Sequence, residues 1–378
     1  KGDELFYWLI KSRDLPEEDP LVIWLNGGPG SASELAIFYE NGPWKLNDDL
    51  TLNRNNHSWN EVANVLYIDQ PFNTGFSKTD KITKIARNEK MIAEPFYKFL
   101  VKFFEKYPEY KGRDFYITGE SYAGHYIPSI TSHILDQNNP DINLKSIAIG
   151  NGWVDPSVQY SAYRTFALEN NLISSVHNQF LKIGYGICSN FLKAHFALLS
   201  YIPCQLLTST ITGYPFKAKF NVYDIREPCI GSTCYDTDAM TKLLNKEEIQ
   251  DLLNIPHRKY AQGNMVIFLL MLRDNGIDIS HKVQKILDMG VGVLAYSGDQ
   301  DFICNWKGGE LWTDKLRIEG YEEVEYESWE VEGEKAGEFR SAGNFTFLRV
   351  FDAGHLVPMD QPENSLDMFK KFLGREFG

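Results

Sequence analysis

Between residues 114 and 128 the chain reads DFYITGESYAGHYIP, with Ser121 set among small residues. Aromatic and β-branched residues stop at Gly119, and Ala123 and Gly124 lead into a segment able to form a helix. Gly119, Ser121 and Ala123 fit the G-x-S-x-G/A spacing of a nucleophile elbow. That strained turn requires small neighbours two residues before and two after the serine. A plain strand-to-helix turn uses the same residue types, so the serine gains meaning only from partners elsewhere. A base must come from another strand end, because the helix after Ser121 runs away from the site, and this disfavours His125. His57 lies in a polar loop, His133 in the helix after the elbow, and His177, His195 and His257 in a long middle segment; His281 precedes a strand in a polar stretch. His355 alone directly follows a strand-like run, FLRVFDAG, with Gly354 to allow the bend. An acid is expected between serine and histidine in chain order. YSGDQDFICNW supplies Asp299 and Asp301, between which the residues alone do not choose; Asp352, expected within the last strand, ranks third.

An oxyanion formed at Ser121 needs two backbone N–H donors. Tyr122 supplies one, and the glycine-rich turn in WLNGGPGSAS (24–33) offers Gly28 for the other. That turn lacks the Lys-Ser/Thr of a phosphate loop and the G-x-G-x-x-G of a dinucleotide turn. Glu120, directly before the serine, is an odd neighbour for a developing negative charge. With Glu40 of FYENGP it forms a pair of carboxyls able to share one proton, and a protonated pair can donate to a terminal carboxylate.

These residues need a frame. Six runs, at 20–30, 64–71, 114–121, 144–152, 292–299 and 345–355, are nearly continuous apolar strands that give way to Gly, Asp or Ser at their ends. Continuous apolarity predicts burial on both faces, as in a mostly parallel sheet flanked by helices. Functional residues in such sheets gather beyond the carboxyl ends of the strands. Between them, residues 88–108 place Met91, Ile92, Phe96, Phe99, Leu100 and Phe103 near a 3.6-residue period, and 362–374 reads as a second amphipathic helix. The gap from 152 to 292 breaks this rhythm. The expected division is a core of 1–156 and 261–378 with a cap inserted at 157–260.

Bulk composition narrows the class. Hydrophobic residues at 43% suffice for a large core, and a net charge of −13 argues against nucleic acid or an anionic membrane as partner. The longest apolar run, MVIFLLML at 265–272, falls far short of the ~20 residues of a membrane span. The opening KGDELFYWLIKSR reads as a strand, with no signal segment visible. Five cysteines suggest two disulfides, Cys188–Cys204 and Cys229–Cys234, with Cys304 left as a thiol near the site. No histidine stands at zinc-ligand spacing from Cys229 and Cys234. Asn56 and Asn344 open N-x-S/T triplets and are glycosylation candidates.

WLNGGPGSAS, DQPFNTGFS, GESYAGHYIP, IGNGWVDP, YSGDQDFICNW and AGHLVPMDQPENS, in this order, resemble the serine carboxypeptidases of the carboxypeptidase Y and cathepsin A kind. NVYDIREPC (221–229) is similar to the fungal branch. The resemblance implies an α/β-hydrolase fold with a helical cap and release of single C-terminal residues through an acyl-enzyme, favoured at acidic pH, with no metal and no cofactor. It implies Ser121 as nucleophile, Asp301 as acid and His355 as base, with Gly28 and Tyr122 as the oxyanion hole. Asn26, Gly27, Glu40 and Glu120 are then expected to bind the terminal carboxylate, with Trp24 behind them. It further implies peptide C-termini as substrate, a monomer or homodimer, and a lysosomal, vacuolar or secreted setting. An acyltransferase or a stabilising partner of other hydrolases on the same fold are the rival readings. The chain departs from the family at Ser31, where Cys is usual, and lacks the partner cysteine expected near 258–266. It also carries Leu356 where Met often follows the catalytic histidine.

Overall fold

The structure is a computed structural model and describes residues 2–194, 197–214, 216–231, 234–374 and 376–377; His195 lies outside them. The strands are β1 (Tyr7–Ile10), β2 (Leu21–Leu25), β3 (Trp44–Leu46), β4 (Leu52–Arg54), β5 (Asn64–Ile68), β6 (Asp114–Glu120), β7 (Asn143–Gly150), β8 (Gly292–Gly298), β9 (Glu327–Val331), β10 (Glu334–Ala342) and β11 (Phe345–Val350). Nine form one sheet in the order β1-β5-β2-β6-β7-β8-β11-β10-β9, and β3 and β4 make a separate hairpin. From β5 to β11 every pairing is parallel. Antiparallel β1 closes one edge, and the β10–β9 hairpin the other.

All six apolar runs are strands of the parallel section, and β2, β5 and β8 are buried throughout. Alternation sends Leu21, Ile23 and Leu25 into one core with helices Lys90–Lys106, Ala123–Gln137 and Ser280–Asp288. Val22 and Trp24 enter a second core with helices Glu34–Tyr39 and Pro362–Gly374. This two-faced burial is why the strands lack a polar face. The chain has an α/β-hydrolase fold with a mostly parallel central sheet.

Helices Pro156–Glu169, Ser175–Lys193, Ala197–Thr212, Asp238–Leu244 and Glu247–Leu252 occupy the long gap between β7 and β8. His281 lies in helix Ser280–Asp288, which precedes β8. One local expectation needs correction. Asp352 is past the end of β11, in a turn with φ 52° and its side chain exposed, so it is neither a strand residue nor directed at His355. The antiparallel edge hairpin went unread because Glu327–Ala342 carries seven charged residues and no apolar alternation to mark it.

Candidate active site

Ser121 leaves β6 with φ 64°, the left-handed conformation the elbow demands. Its N–H donates to Gly150 O at 3.0 Å, and its carbonyl accepts from Gly124 and Trp153 at 2.9 and 3.0 Å. The turn is therefore fixed by the neighbouring strand β7. A Cβ at Gly119 would collide with Leu25 O, and one at Gly124 with Trp153 backbone, so the small residues are sterically required. His125 is buried behind the elbow with its ring nitrogens 2.5 Å from Trp153 O and 3.0 Å from Ile277 O. Both nitrogens are thus engaged away from Ser121.

Asp301 follows β8 and His355 follows β11, the next strand in the sheet. His355 Nδ1 lies 2.7 Å from Asp301 Oδ2. Asp301 is fully buried and accepts three further hydrogen bonds: Asn151 Nδ2 at 2.8 Å, Ile303 N–H at 2.9 Å and Cys304 N–H at 3.2 Å. These donors hold the carboxylate in one orientation, and the bond to Nδ1 leaves Nε2 of His355 as the reactive nitrogen. Asn151 had no role in the sequence reading. It sits at the end of β7, and its amide oxygen accepts from Gly298 N–H at 3.3 Å. The visible signal was its place in IGNG, a strand end beside the other two. The histidine loop is pinned as well: His355 N–H donates to Tyr223 O at 2.7 Å, and Gly354 N–H to Asp360 Oδ2 at 2.7 Å.

Ser121 and His355 line one cavity of about 130 Å³ together with Asn26, Gly27, Gly28 and Glu120. Gly27 packs so tightly that a Cβ there would collide with Tyr122 N. Gly28 has φ +108°, which only glycine adopts freely. The glycine turn can thus lie against the elbow, and neither Gly28 N–H nor Tyr122 N–H has a backbone acceptor among the described residues.

Glu40 and Glu120 meet under Asn26. Asn26 Nδ2 donates to Glu40 Oε1 at 3.0 Å and to Glu120 Oε1 at 2.9 Å, while Trp24 Nε1 donates to Asn26 Oδ1 at 2.9 Å. The Trp24 bond fixes which way the amide points and leaves both amide hydrogens on the two carboxyls. Burial raises the pKa of Glu40, and burial plus the adjacent Glu40 charge pushes Glu120 well above the ordinary range. Glu40 Oε2 has no conventional donor opposite it among the described residues. The neighbouring Glu120 satisfies it only when one carboxyl carries a proton. Glu120 borders the cavity and Glu40 stands behind it.

Tyr223, Tyr235, Thr237 and Gln262 complete much of the remaining wall, and Ser31 and Leu356 also border the cavity. The sequence reading missed the first four because they come from the long middle segment, where no strand end marked them. Cys304 is buried, its thiol pushed well up by burial and by the Asp301 charge. Asp301, Cys304 and His355 offer ligand atoms within 4.8 Å of one another. A protonated thiol and an Nδ1 already committed to Asp301 make a poor metal ligand set.

Both expected disulfides are present: Cys188–Cys204 joins two middle-segment helices, and Cys229–Cys234 closes a short loop. Where the family cysteines are missing, Ser31 pairs with Gly263 in an antiparallel bridge flanked by Ala32 N–H to Gln262 O at 2.8 Å and Asn264 N–H to Gly30 O at 3.0 Å. Backbone hydrogen bonds join the segments a disulfide would join. Of the two glycosylation candidates, Asn56 is exposed. The amide nitrogen of Asn344 donates to Val291 O at 2.8 Å and Leu287 O at 3.3 Å, and a glycan there would leave one hydrogen for the two.

Residues 1–375 match the serine carboxypeptidase family. Serine carboxypeptidase-like 47 of Arabidopsis thaliana is 39% identical over 385 residues, covering 99% of this chain and 76% of that protein. Carboxypeptidase Y of Komagataella phaffii is 39% identical over 393 residues, covering 98% and 73%. The crystal structure of a prohormone-processing carboxypeptidase from Saccharomyces cerevisiae superposes with a TM-score of 0.88 at 26% identity, over 99% of this chain and 87% of that one. The chain belongs to the serine carboxypeptidase family. It is a hydrolase with carboxypeptidase activity that takes peptides as substrate.

Proposed function

We propose that Ser121, His355 and Asp301 cleave the last peptide bond of a chain whose free carboxylate is read by the Glu120–Glu40 pair. The observation that carries this reading is the buried carboxyl pair, of which Glu120 lines the cavity of Ser121 and Glu40 stands behind it. A general esterase has no use for a proton-sharing pair next to its nucleophile. An exopeptidase does, because its substrate brings a negative charge to that spot.

In the reaction, Ser121 Oγ attacks the scissile carbonyl as His355 Nε2 takes its proton. Asp301 steadies the imidazolium through Nδ1, and the N–H groups of Gly28 and Tyr122 receive the oxyanion. His355 then gives the proton to the departing amino acid, and water hydrolyses the acyl-enzyme by the same route in reverse. Gly27 lies beside the terminal carboxylate. Asn26 organises the pair, because its amide hydrogens are spent on Glu40 and Glu120, and the protonated Glu120 makes the direct contact. Leu356 borders the leaving residue. The helical segment 157–260 caps the core formed by 1–156 and 261–378. Two disulfides and exposed Asn56 support a vacuolar, lysosomal or secreted setting. The enzyme acts as a monomer or homodimer, with no nucleic acid partner. Mass spectrometry of a mixed peptide pool, incubated at acidic pH with wild-type enzyme and with Ser121→Ala, tests this. Residues leaving singly from C-termini in the wild type alone support it; internal cuts, or unchanged activity in the variant, refute it.

A further inference from the structure

We infer that the outer face of helices Ser175–Lys193 and Ala197–Thr212, with the turn that follows them, docks on an anionic lipid surface. Helix Ser175–Lys193 buries Leu181, Tyr185, Cys188 and Leu192 against the molecule. Its opposite side is apolar too. Val176, Phe180, Ile183 and Ile187 recur at helical spacing and are 81%, 59%, 70% and 55% exposed. A surface helix ordinarily carries polar residues there. On the partner helix, Ile202 and Leu206 are 65% and 64% exposed on one row. His177 Nε2 lies 2.8 Å from Thr210 Oγ1, so the two rows adjoin. Just beyond, the hydrogen bonds of Phe216 N–H and Lys217 N–H to Gly213 O form a turn that presents Phe216 at 96% exposure.

Charge selects the occupant. Residues 170–223 contain no Asp, Glu or Arg and four lysines, Lys182, Lys193, Lys217 and Lys219. The chain totals −13, so this segment at +4 leaves −17 on the remainder. All four lysines are exposed, and none makes an ion pair among the described residues. An apolar face bordered by lysines and tipped by an exposed aromatic is the pattern of an interfacial element on anionic headgroups. No helix among the described residues is long and apolar enough to cross a membrane, so the contact is peripheral. A second copy is disfavoured, because a twofold contact through this face sets lysines against lysines. The acid-rich stretch 319–338 lies outside the face, and pairing with it gives an open head-to-tail chain rather than a closed dimer. The expectation from net charge is thereby revised. Salt confines each charge to its surroundings within about 8 Å, so a local basic apolar face acts independently of the average.

The test is sedimentation of the whole enzyme with vesicles of phosphatidylcholine, alone or with about one-third phosphatidylserine, at low and physiological salt. Binding is expected with the anionic vesicles, weakening as salt rises. Lys182→Glu/Lys217→Glu should weaken it by about fivefold or more per lysine. Ile183→Ser/Phe216→Ser should weaken it more than tenfold. Hydrolysis of a blocked dipeptide in solution should not change in either variant, which also shows that they fold. Equal sedimentation of wild type and both variants, or no binding to anionic vesicles, overturns the inference. So does a wild-type dimer in solution that Ile183→Ser/Phe216→Ser converts to monomer, which would make this face a contact between copies.

Discussion

If Glu120 and Glu40 share a proton, substrate binding must weaken as pH rises, and only for substrates with a free carboxylate. Both carboxyls have raised pKa values, Glu40 through burial and Glu120, the more so, through burial and then the charge of Glu40. Below the upper ionisation the pair holds one proton, and Glu120 can donate to the substrate. Above it both are charged and repel the carboxylate. A hydrogen bond to a charged group contributes about 1.5–3 kcal/mol, so KM for a blocked dipeptide should rise roughly ten- to hundredfold across that ionisation. The dipeptide amide brings no charge, and its KM should stay nearly level.

The geometry separates the two single variants. In Glu120→Gln the amide oxygen takes the Asn26 bond, and the NH₂ faces the cavity and donates at every pH, so the KM profile flattens. Glu40 stands behind Glu120, so Glu40→Gln acts indirectly. It removes the neighbouring charge and supplies a donor, both of which lower the Glu120 pKa. The rise in KM then moves to lower pH instead of disappearing. The assay is KM against pH, from acidic to mildly alkaline, for dipeptide and amide in the three proteins. Parallel wild-type profiles for the two substrates would falsify the assignment of this pair to the C-terminus.

Ser121→Ala should lower kcat by several orders of magnitude with the fold intact, and a fluorophosphonate probe should label Ser121 alone; labelling at any other serine counts against it. Asn151→Ala removes one of four partners of Asp301, so kcat should fall about tenfold or more with KM little changed; a loss confined to KM would mean that Asn151 acts on substrate. Ser31→Cys/Gly263→Cys should cross-link spontaneously, because the flanking bonds make 31 and 263 a close, non-hydrogen-bonded pair. It should raise stability by about 2–4 kcal/mol in denaturant unfolding, reversed by reductant. Asp360, raised from 3.8 to about 6 by burial, binds its proton more tightly folded than unfolded. Its contribution is full below about pH 4 and lost as pH passes 6, a span of about 3 kcal/mol. Buried Asp69 and Glu89 shift the same way, chiefly through burial. Thermal stability should therefore decline from mildly acidic to alkaline pH, less steeply in Asp360→Asn; a wild-type maximum above pH 8 contradicts this.

What the sequence disclosed and what it withheld have a common physical cause. Strands buried on both faces must be apolar throughout, and they end where the chain turns polar, so Ser121, Asp301 and His355 stood at visible boundaries. The residues alone did not choose between Asp299 and Asp301, because both follow the same strand, and only the family resemblance pointed to Asp301. The fold supplies the physical reason: Asp301 receives Asn151 and two backbone N–H groups while Asp299 faces Arg349 at 3.6 Å. Tyr223 and Gln262 were silent for a related reason. Their segment touches the site through backbone carbonyls and loop packing, which carry no side-chain period. The same holds for the apolar outer row at Val176, Phe180, Ile183 and Ile187. In sequence it interleaves with the buried row at Leu181, Tyr185, Cys188 and Leu192, and spacing alone does not say which of the two rows is covered. The fold buries one row and leaves the other in solvent. A helix apolar on both faces but covered on one must find its second cover outside the molecule described, and the lysines beside it restrict that cover to something negatively charged.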